Sequence, residues 1–386
     1  MIKISSTLYI LAGLLVLSGA FYSIEFLKVF SLGIFGVCIF IFFVFALTGN
    51  KNDLTLDKGG FIYILFIFSF ILMLISALLN NSIDLFVGVL LFLLLVINFS
   101  VFNLNKTCFD FFDKPVKLTF LIVTLINFSF GFSIPFNGAF SNPNSLGGIY
   151  AMLSFVSTGI LLDKTYNYKG KKIDYYLLII ILLSTFFTLV SNSRISFISS
   201  CLCLIVLFLY FMINSFNLKN GISIKVSFFK KMVATLVVGI SAILILWKEI
   251  EDIFLKKVMY KMDDDGGGVT GGRNEVWKAI IDNSLMFGHG RFSPHLEYFE
   301  LSAHNTFLSV YDQFGWLSCF FFALAVVFAT FNILKPTNIK SYGITPSFIC
   351  FSFLFLSISE SLINKTIFFC FLIILNLSSF KKIIYK

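Results

Sequence analysis

The chain has 386 residues, 58% of them hydrophobic and only 13% charged. That is about half the charged fraction of an ordinary soluble domain, so a soluble globular protein is excluded. The net charge of +9, from 29 Lys and Arg against 20 Asp and Glu, is carried by no basic run interleaved with aromatics, so nucleic-acid binding finds no support.

In chain order, charge-free blocks run over residues 8–24, 29–49, 59–83, 85–105, 118–162, 175–193, 195–218, 232–247, 313–334, 341–359 and 366–380. A bilayer core is crossed by about 20 helical residues, so block 118–162 is too long for one span. Its middle, from Ser133 to Gly148, is dense in Pro, Gly and Asn, which break a helix. Read as two spans joined by an uncharged loop, it brings the expectation to an all-α integral membrane protein with about twelve transmembrane helices. The first block follows a single Lys and lacks a small-x-small cleavage pattern, so it is predicted to be a retained helix with a cytoplasmic N-terminus.

With that start, nineteen basic residues fall on the cytoplasmic side and ten outside. Seven of the ten lie in one long loop, which leaves Lys28, Arg194 and Lys365 in short external loops, a strong positive-inside signal. Six acidic residues inside and fourteen outside make the balance +13 and −4. The basic character therefore belongs to the cytoplasmic face. Both termini are expected in the cytoplasm of a multi-pass membrane protein. The chain divides into residues 1–247 with helices one to nine, a large external (periplasmic) loop at 248–303, and residues 304–386 with helices ten to twelve. The seven cysteines include no Cys-x-x-Cys pair, which argues against disulfides and zinc ribbons.

All three arginines, Arg194, Arg273 and Arg291, fall on the external side although 26 lysines dominate the chain. A guanidinium differs from an ammonium in its planar fork, which grips two oxygens of a phosphate or carboxylate at once. A phosphate-bearing ligand outside the membrane is the expectation. Arg194 stands in the tight hairpin Val190-Ser-Asn-Ser-Arg-Ile-Ser196. It is read either as an anion contact or as a snorkelling side chain bonded to helix-end carbonyls.

In the long loop, Asp263–Asp265 followed by glycines lacks the spaced ligands of a calcium loop and reads as a solvated linker. Beyond it, Val276, Trp277, Ile280, Ile281 and Leu285 share one helical face, which predicts a short amphipathic helix lying on the membrane. Arg273 opens it, where the helix N-terminus would add backbone donors to an anion site; a solvated loop arginine is the alternative. Gly288-His-Gly-Arg-Phe292 follows as a turn carrying His289 and Arg291. The spacings among His289, His295 and His304 give no preset metal-ligand pair, and no metal or cofactor is expected. His304 and Asn305 are read as opening the next helix, with His304 as a general base at the mouth of the bundle. Asn305 and Asp312, seven apart, would share a face and orient it, while capping accounts for Asn305 equally well.

Four local patterns in this order resemble the O-antigen polymerase and O-antigen ligase superfamily of bacterial surface-polysaccharide enzymes. They are Ser141-Asn-Pro-Asn144, Ser193-Arg194 at a span end, Gly272-Arg273-Asn-Glu-Val-Trp277 with Gly288-His-Gly290, and Ala303-His304-Asn305-Thr-Phe-Leu308 followed by Gly315. The first departs from the family in carrying Ser141 where His is common. The resemblance implies a lipid-dependent glycosyltransferase fold and a saccharide donor on polyprenyl diphosphate. It implies diphosphate or substrate contacts from Arg194, Arg273, Arg291, Asn305 and Asn144, and His304 as the base of an inverting transfer without metal. The acceptor would be a second lipid-linked repeat unit for a polymerase, or the lipopolysaccharide core for a ligase. Membrane lipid and a chain-length regulator protein would be partners. The long loop holds seven basic and ten acidic residues, which suits a polyanionic core poorly and leans toward a polymerase. A transporter or flippase is the competing class. Its marks, ionisable residues at mid-membrane and paired half-repeats, are absent from the sequence.

Overall fold

A computed structural model of the chain describes residues 4–48, 60–101, 108–132, 136–140, 142–167, 174–191, 193–215, 273–294, 303–358, 360–362 and 366–379. Among them every regular element is helical. The first group is α1 (Ile4–Tyr22), a short 3-10 turn at Glu25–Leu27, α2 (Lys28–Thr48), α3 (Gly60–Leu79), α4 (Ile83–Val101) and α5 (Cys108–Ser129). Then come α6 (Pro143–Asn167), α7 (Tyr175–Val190), α8 (Arg194–Ser215) and the short α9 (Arg273–Asp282). The last are α10 (Thr306–Ile333), α11 (Pro336–Tyr342), α12 (Thr345–Ser357) and α13 (Thr366–Ser379). Eleven of the twelve stretches expected to span coincide with a helix; the ninth, Met232–Trp247, lies outside the described residues. Among the described residues three helices, α3, α6 and α10, are long and apolar enough to cross a membrane.

The apolar runs form helices because a helix satisfies every interior backbone donor and acceptor within its own segment. Their ends are marked by sequence. Pro143 opens α6, where the missing N–H costs nothing. The Asp174 carboxylate caps α7 by accepting from Leu177 N at 3.4 Å. Asn305 caps α10, its side-chain oxygen accepting from Phe307 N and Leu308 N at 2.9 and 3.0 Å.

Helix α6 is the axis of the bundle, packed by α5, α7, α8 and α12, while α3 packs on α4 and α10, and α1 on α2, α5 and α13. The hairpins bring the polar residues to two opposite ends. One end carries Lys117, Lys164, Asp113, Asp163 and Asp174 and is called here the lysine end. There the Asp163 carboxylate accepts from Ile344 N, Thr345 N and Thr345 Oγ1 at 2.6–2.9 Å, tying α6 to the start of α12. The other carries all three arginines and is called the arginine end.

Helix α10 is broken. Gly315 has φ 89° and ψ 165° inside it, and Trp316 N donates to Leu285 O at 3.2 Å instead of to its own helix. The break is occupied by the turn after α9: His289 N and Gly290 N donate to the carbonyls of Asp312 and Gln313, both at 2.9 Å. A Cβ on Gly315 would meet the Met286 carbonyl, and one on Gly288 would meet Gly315 N. Only glycine, with its positive φ and bare Cα, fits either place.

Candidate functional site

Arg194 is the first residue of α8, at the tip of the α7–α8 hairpin. The hairpin is fixed by small polar contacts. Ser191 Oγ donates to Thr188 O at 3.0 Å, and Ser193 Oγ to Ser196 Oγ at 2.8 Å. Helix α6 approaches it so closely at Gly147 that a Cβ there would strike Ser193 and Ser191. Asn144 lies one turn before Gly147 in the first turn of α6, which brings it to the same end of the bundle as Arg194. Its N–H donates to Asn142 Oδ1 at 2.8 Å. Ser141 lies outside the described residues.

The short helix expected after the glycine-rich segment is α9, and Arg273 opens it. Its buried face differs from the expected membrane-lying one. Val276 and Ile280 are enclosed by protein, packed with Ala303, Leu308 and Tyr311, while Ile281 and Leu285 are exposed. The five apolar positions split because α10 takes one side of the stripe and leaves the other outward. Trp277 Nε1 donates to Ala303 O at 2.9 Å, so α9 is pinned to the residue just before His304. Residues 261–272, with the Asp263–Asp265 run, and His295 lie outside the described residues.

Half-burial lowers the Arg273 pKa, the Glu360 carboxylate opposes that shift, and the like charge of Arg194 adds to it. The two arginines therefore stand close enough to repel, with Glu360 nearby. A guanidinium stays protonated under these influences, so the arginine end holds two cationic forks within electrostatic reach of one another.

His304 precedes α10 and is not part of it; its backbone is left-handed, with φ 44°. That conformation is uncommon for a residue other than glycine. It corrects the expectation that His304 opens the helix: Asn305 is the cap, and His304 is turned out of the helical path. The imidazole Nδ1 lies 3.7 Å from Glu360 Oε1. Glu360 is 5% exposed, and its segment is held down by Thr306, whose Oγ1 donates to Glu360 O at 2.8 Å and accepts from Leu362 N at 3.0 Å. The α10 start and the α12–α13 connection are thereby one unit. Sequence reasoning missed Glu360. Its signal was available, since it is the only acidic residue after Asp312.

The remaining candidates go elsewhere. Arg291 is exposed and pairs with Asp84 at the start of α4, at 2.5 Å. His289 Nε2 contacts Asn283 O at 2.7 Å, which closes the turn after α9. Asp312 is buried and accepts from Ser293 Oγ, so it braces the turn over the helix break. Asn305 is spent on capping, with a further contact from Nδ2 to Ile358 O at 3.5 Å. Among the described residues no three His, Cys, Asp or Glu side chains are grouped to hold a metal ion.

The assembled group is thus Arg194, Arg273, His304 and Glu360, from α8, α9, the start of α10 and the α12–α13 connection. Chemically it offers two guanidinium forks for a doubly charged anion and an imidazole backed by a carboxylate. No protein-family model matches the chain, and no curated protein sequence matches it. The functional reading rests on the residues and their arrangement.

Proposed function

We propose that the chain is a membrane-embedded glycosyltransferase of O-antigen polymerase type, joining polyprenyl-diphosphate-linked oligosaccharide units at the external face of the bacterial inner membrane. One observation carries the reading: Arg194 and Arg273, remote in sequence, lie within electrostatic reach of one another, Arg273 also of the buried Glu360 carboxylate, which faces His304 at 3.7 Å. Such a pair suits a diphosphate leaving group, because charge-assisted bidentate contacts strengthen as negative charge develops in the transition state.

In this mechanism His304 Nε2 takes the proton of the acceptor hydroxyl while that oxygen bonds to the anomeric carbon from the face opposite the diphosphate. The bond from the anomeric carbon to the phosphate oxygen breaks. Its electron pair leaves on the diphosphate, whose charge Arg194 and Arg273 neutralise. Glu360, facing Nδ1, is a positioning residue: a carboxylate there favours the tautomer with the proton on Nδ1 and leaves the Nε2 lone pair free. Asn144 and Asn305 lie at the same end of the bundle, on the first turn of α6 and the cap of α10.

The test is to delete the gene in its bacterial host and resolve the surface polysaccharide on a gel. A single repeat unit on the lipid core is the expected result. Polymer accumulating on its lipid carrier with a bare core would instead indicate a ligase, and an intact ladder would reject both. Complementation with His304→Ala should leave the membrane protein at normal abundance and restore no polymer; polymer from that variant would sink the base assignment.

A further inference from the structure

A second polar group at the arginine end lies outside the set just described. A cavity of about 540 Å³ opens between α2 and α4 and reaches inward to α10 and α13, a size typical of sites for small organic ligands. Its rim is made by Tyr22, Lys28, Asp84 and Arg291. Lys28 Nζ lies over the Tyr22 ring at 5.3 Å, and Arg291 pairs with Asp84, so the rim carries one net positive charge. Deeper in, the wall is aromatic, with Phe35, Phe92 and Phe369 in mutual contact. Leu32 of α2 and Val87 of α4 border the cavity and are 42% and 48% exposed, so it is accessible along these two helices.

Two lining residues connect this cavity to the proposed reaction. Ser361 follows Glu360, and Ser309 lies one turn into the helix that Asn305 caps, just beyond His304. The cavity therefore approaches the His304–Glu360 pair through α10 and the α12–α13 connection, whereas Arg273 approaches Glu360 from α9, with Arg194 beyond it on α8.

From the cationic rim, the apolar depth, the access along α2 and α4 and this adjacency, we infer that the cavity is the seat of the acceptor, a second prenyl-diphosphate-linked saccharide with its head group at Lys28 and Arg291 and its prenyl chain between α2 and α4. The inference rests on the glycosyl-transfer reading and adds to it a site separate from that of the donor. A device for blocking it exists in the wall. Gly88 lines the cavity, and a Cβ there meets nothing within 4 Å, so the backbone has room for a side chain at this place in the wall and Gly88→Phe is the variant designed to fill the cavity.

The experiment uses the full chain in phosphatidylcholine nanodiscs with a benzophenone-tagged farnesyl diphosphate, crosslinked by light and mapped by mass spectrometry. Labelling is expected on α2 and α4 and, separately, near Arg194 and Arg273. Gly88→Phe should lower the α2–α4 labelling at least tenfold and spare the second cluster. Lys28→Gln combined with Arg291→Gln should also lower it, without filling the space. Undiminished α2–α4 labelling in these variants would overturn the site, as would equal competition by farnesol, which lacks the diphosphate. Displacement by phosphatidylglycerol as effective as by farnesyl diphosphate would make it a resident phospholipid site and overturn the acceptor assignment. Normal polymer from Gly88→Phe in cells would do the same. Failure of the underlying reading is seen separately, as polymer made by His304→Ala, a substitution that leaves the cavity labelling intact.

Discussion

The two ends of the bundle handle charge in opposite ways. At the lysine end, Lys117 and Lys164 each contact both Asp113 and Asp174, at 2.6–3.0 Å. Two cations and two anions close a ring in which every charge has two partners of opposite sign. At the arginine end, two guanidiniums repel one another beside one buried carboxylate, which also faces an imidazole. The first arrangement joins α5, α6 and α7 and has no capacity left for a ligand. The second concentrates like charge where helix ends converge, an arrangement that an incoming anion relieves.

Exchanging features between the ends tests that distinction. The largest expected effect is on His304→Ala, with product falling below detection while the thermal melting of the purified protein in detergent stays within a degree or two. Next is Gly315→Ala, which adds a Cβ against the Met286 carbonyl at a positive φ. It should cost about 3 kcal/mol or more, read as a fall in melting temperature and in yield, and the arginine end should lose function with it. Arg194→Lys keeps the charge and loses the fork; a drop of about 10–100-fold in polymer formation is expected, or roughly 1.4–2.8 kcal/mol of transition-state stabilisation. Full activity would make Arg194 a topological anchor. Glu360→Gln should reduce turnover by about tenfold with little change in donor KM, and Glu360→Asp should recover part of it.

The smallest effects belong to the lysine end. Lys164→Met should lower stability by about 1–2 kcal/mol, between the exposed and the fully buried ion-pair cases, and leave polymer length unchanged. Burial pushes the Asp174 carboxyl upward, but hydrogen bonds and charges from Lys117 and Lys164 outweigh it and hold the group at about 2, below its ordinary 3.8. A depressed carboxyl contributes stability that is complete above the ordinary carboxylate range and is lost as pH falls through about 2. The melting-temperature gap between wild type and Asp174→Asn should therefore be constant above about pH 5 and close between pH 4 and 2.

Much of this architecture was legible in the sequence, because apolar length and charge spacing decide where helices can lie. The break at Gly315 was not. It sits inside a charge-free block whose composition is uniform, and its cause is a loop remote in sequence whose carbonyl captures Trp316 N. The external clustering of three arginines against a lysine background was readable from the sequence, and the expectation of a phosphate-bearing ligand follows from it. Which arginines assemble was not, since packing of the Gly288–Gly290 turn against α3 decides it. There Ser76 Oγ and Asn80 Nδ2 donate to Phe287 O at 2.5 and 3.1 Å, and Arg291 is carried to Asp84. His304 was found by its residue type, whereas Glu360 was passed over as a lone acid near a helix end.

The clasp between Gly288 and Gly315 bears on the order in which the protein comes together during synthesis. Segments made first fold first as a chain emerges, and α6 and α8 supply Asn144 and Arg194 early. The turn after α9 cannot settle until α10 arrives to receive its N–H groups, and α9, which Arg273 opens, is held by Trp277 to Ala303, just ahead of that helix. Glu360 comes later still, with the α12–α13 connection. The two guanidiniums are thus drawn together only by the last pieces of the bundle, so a partly assembled chain lacks the paired forks and the backed imidazole at once. On the proposed reading, competence would come late, when the final helices dock.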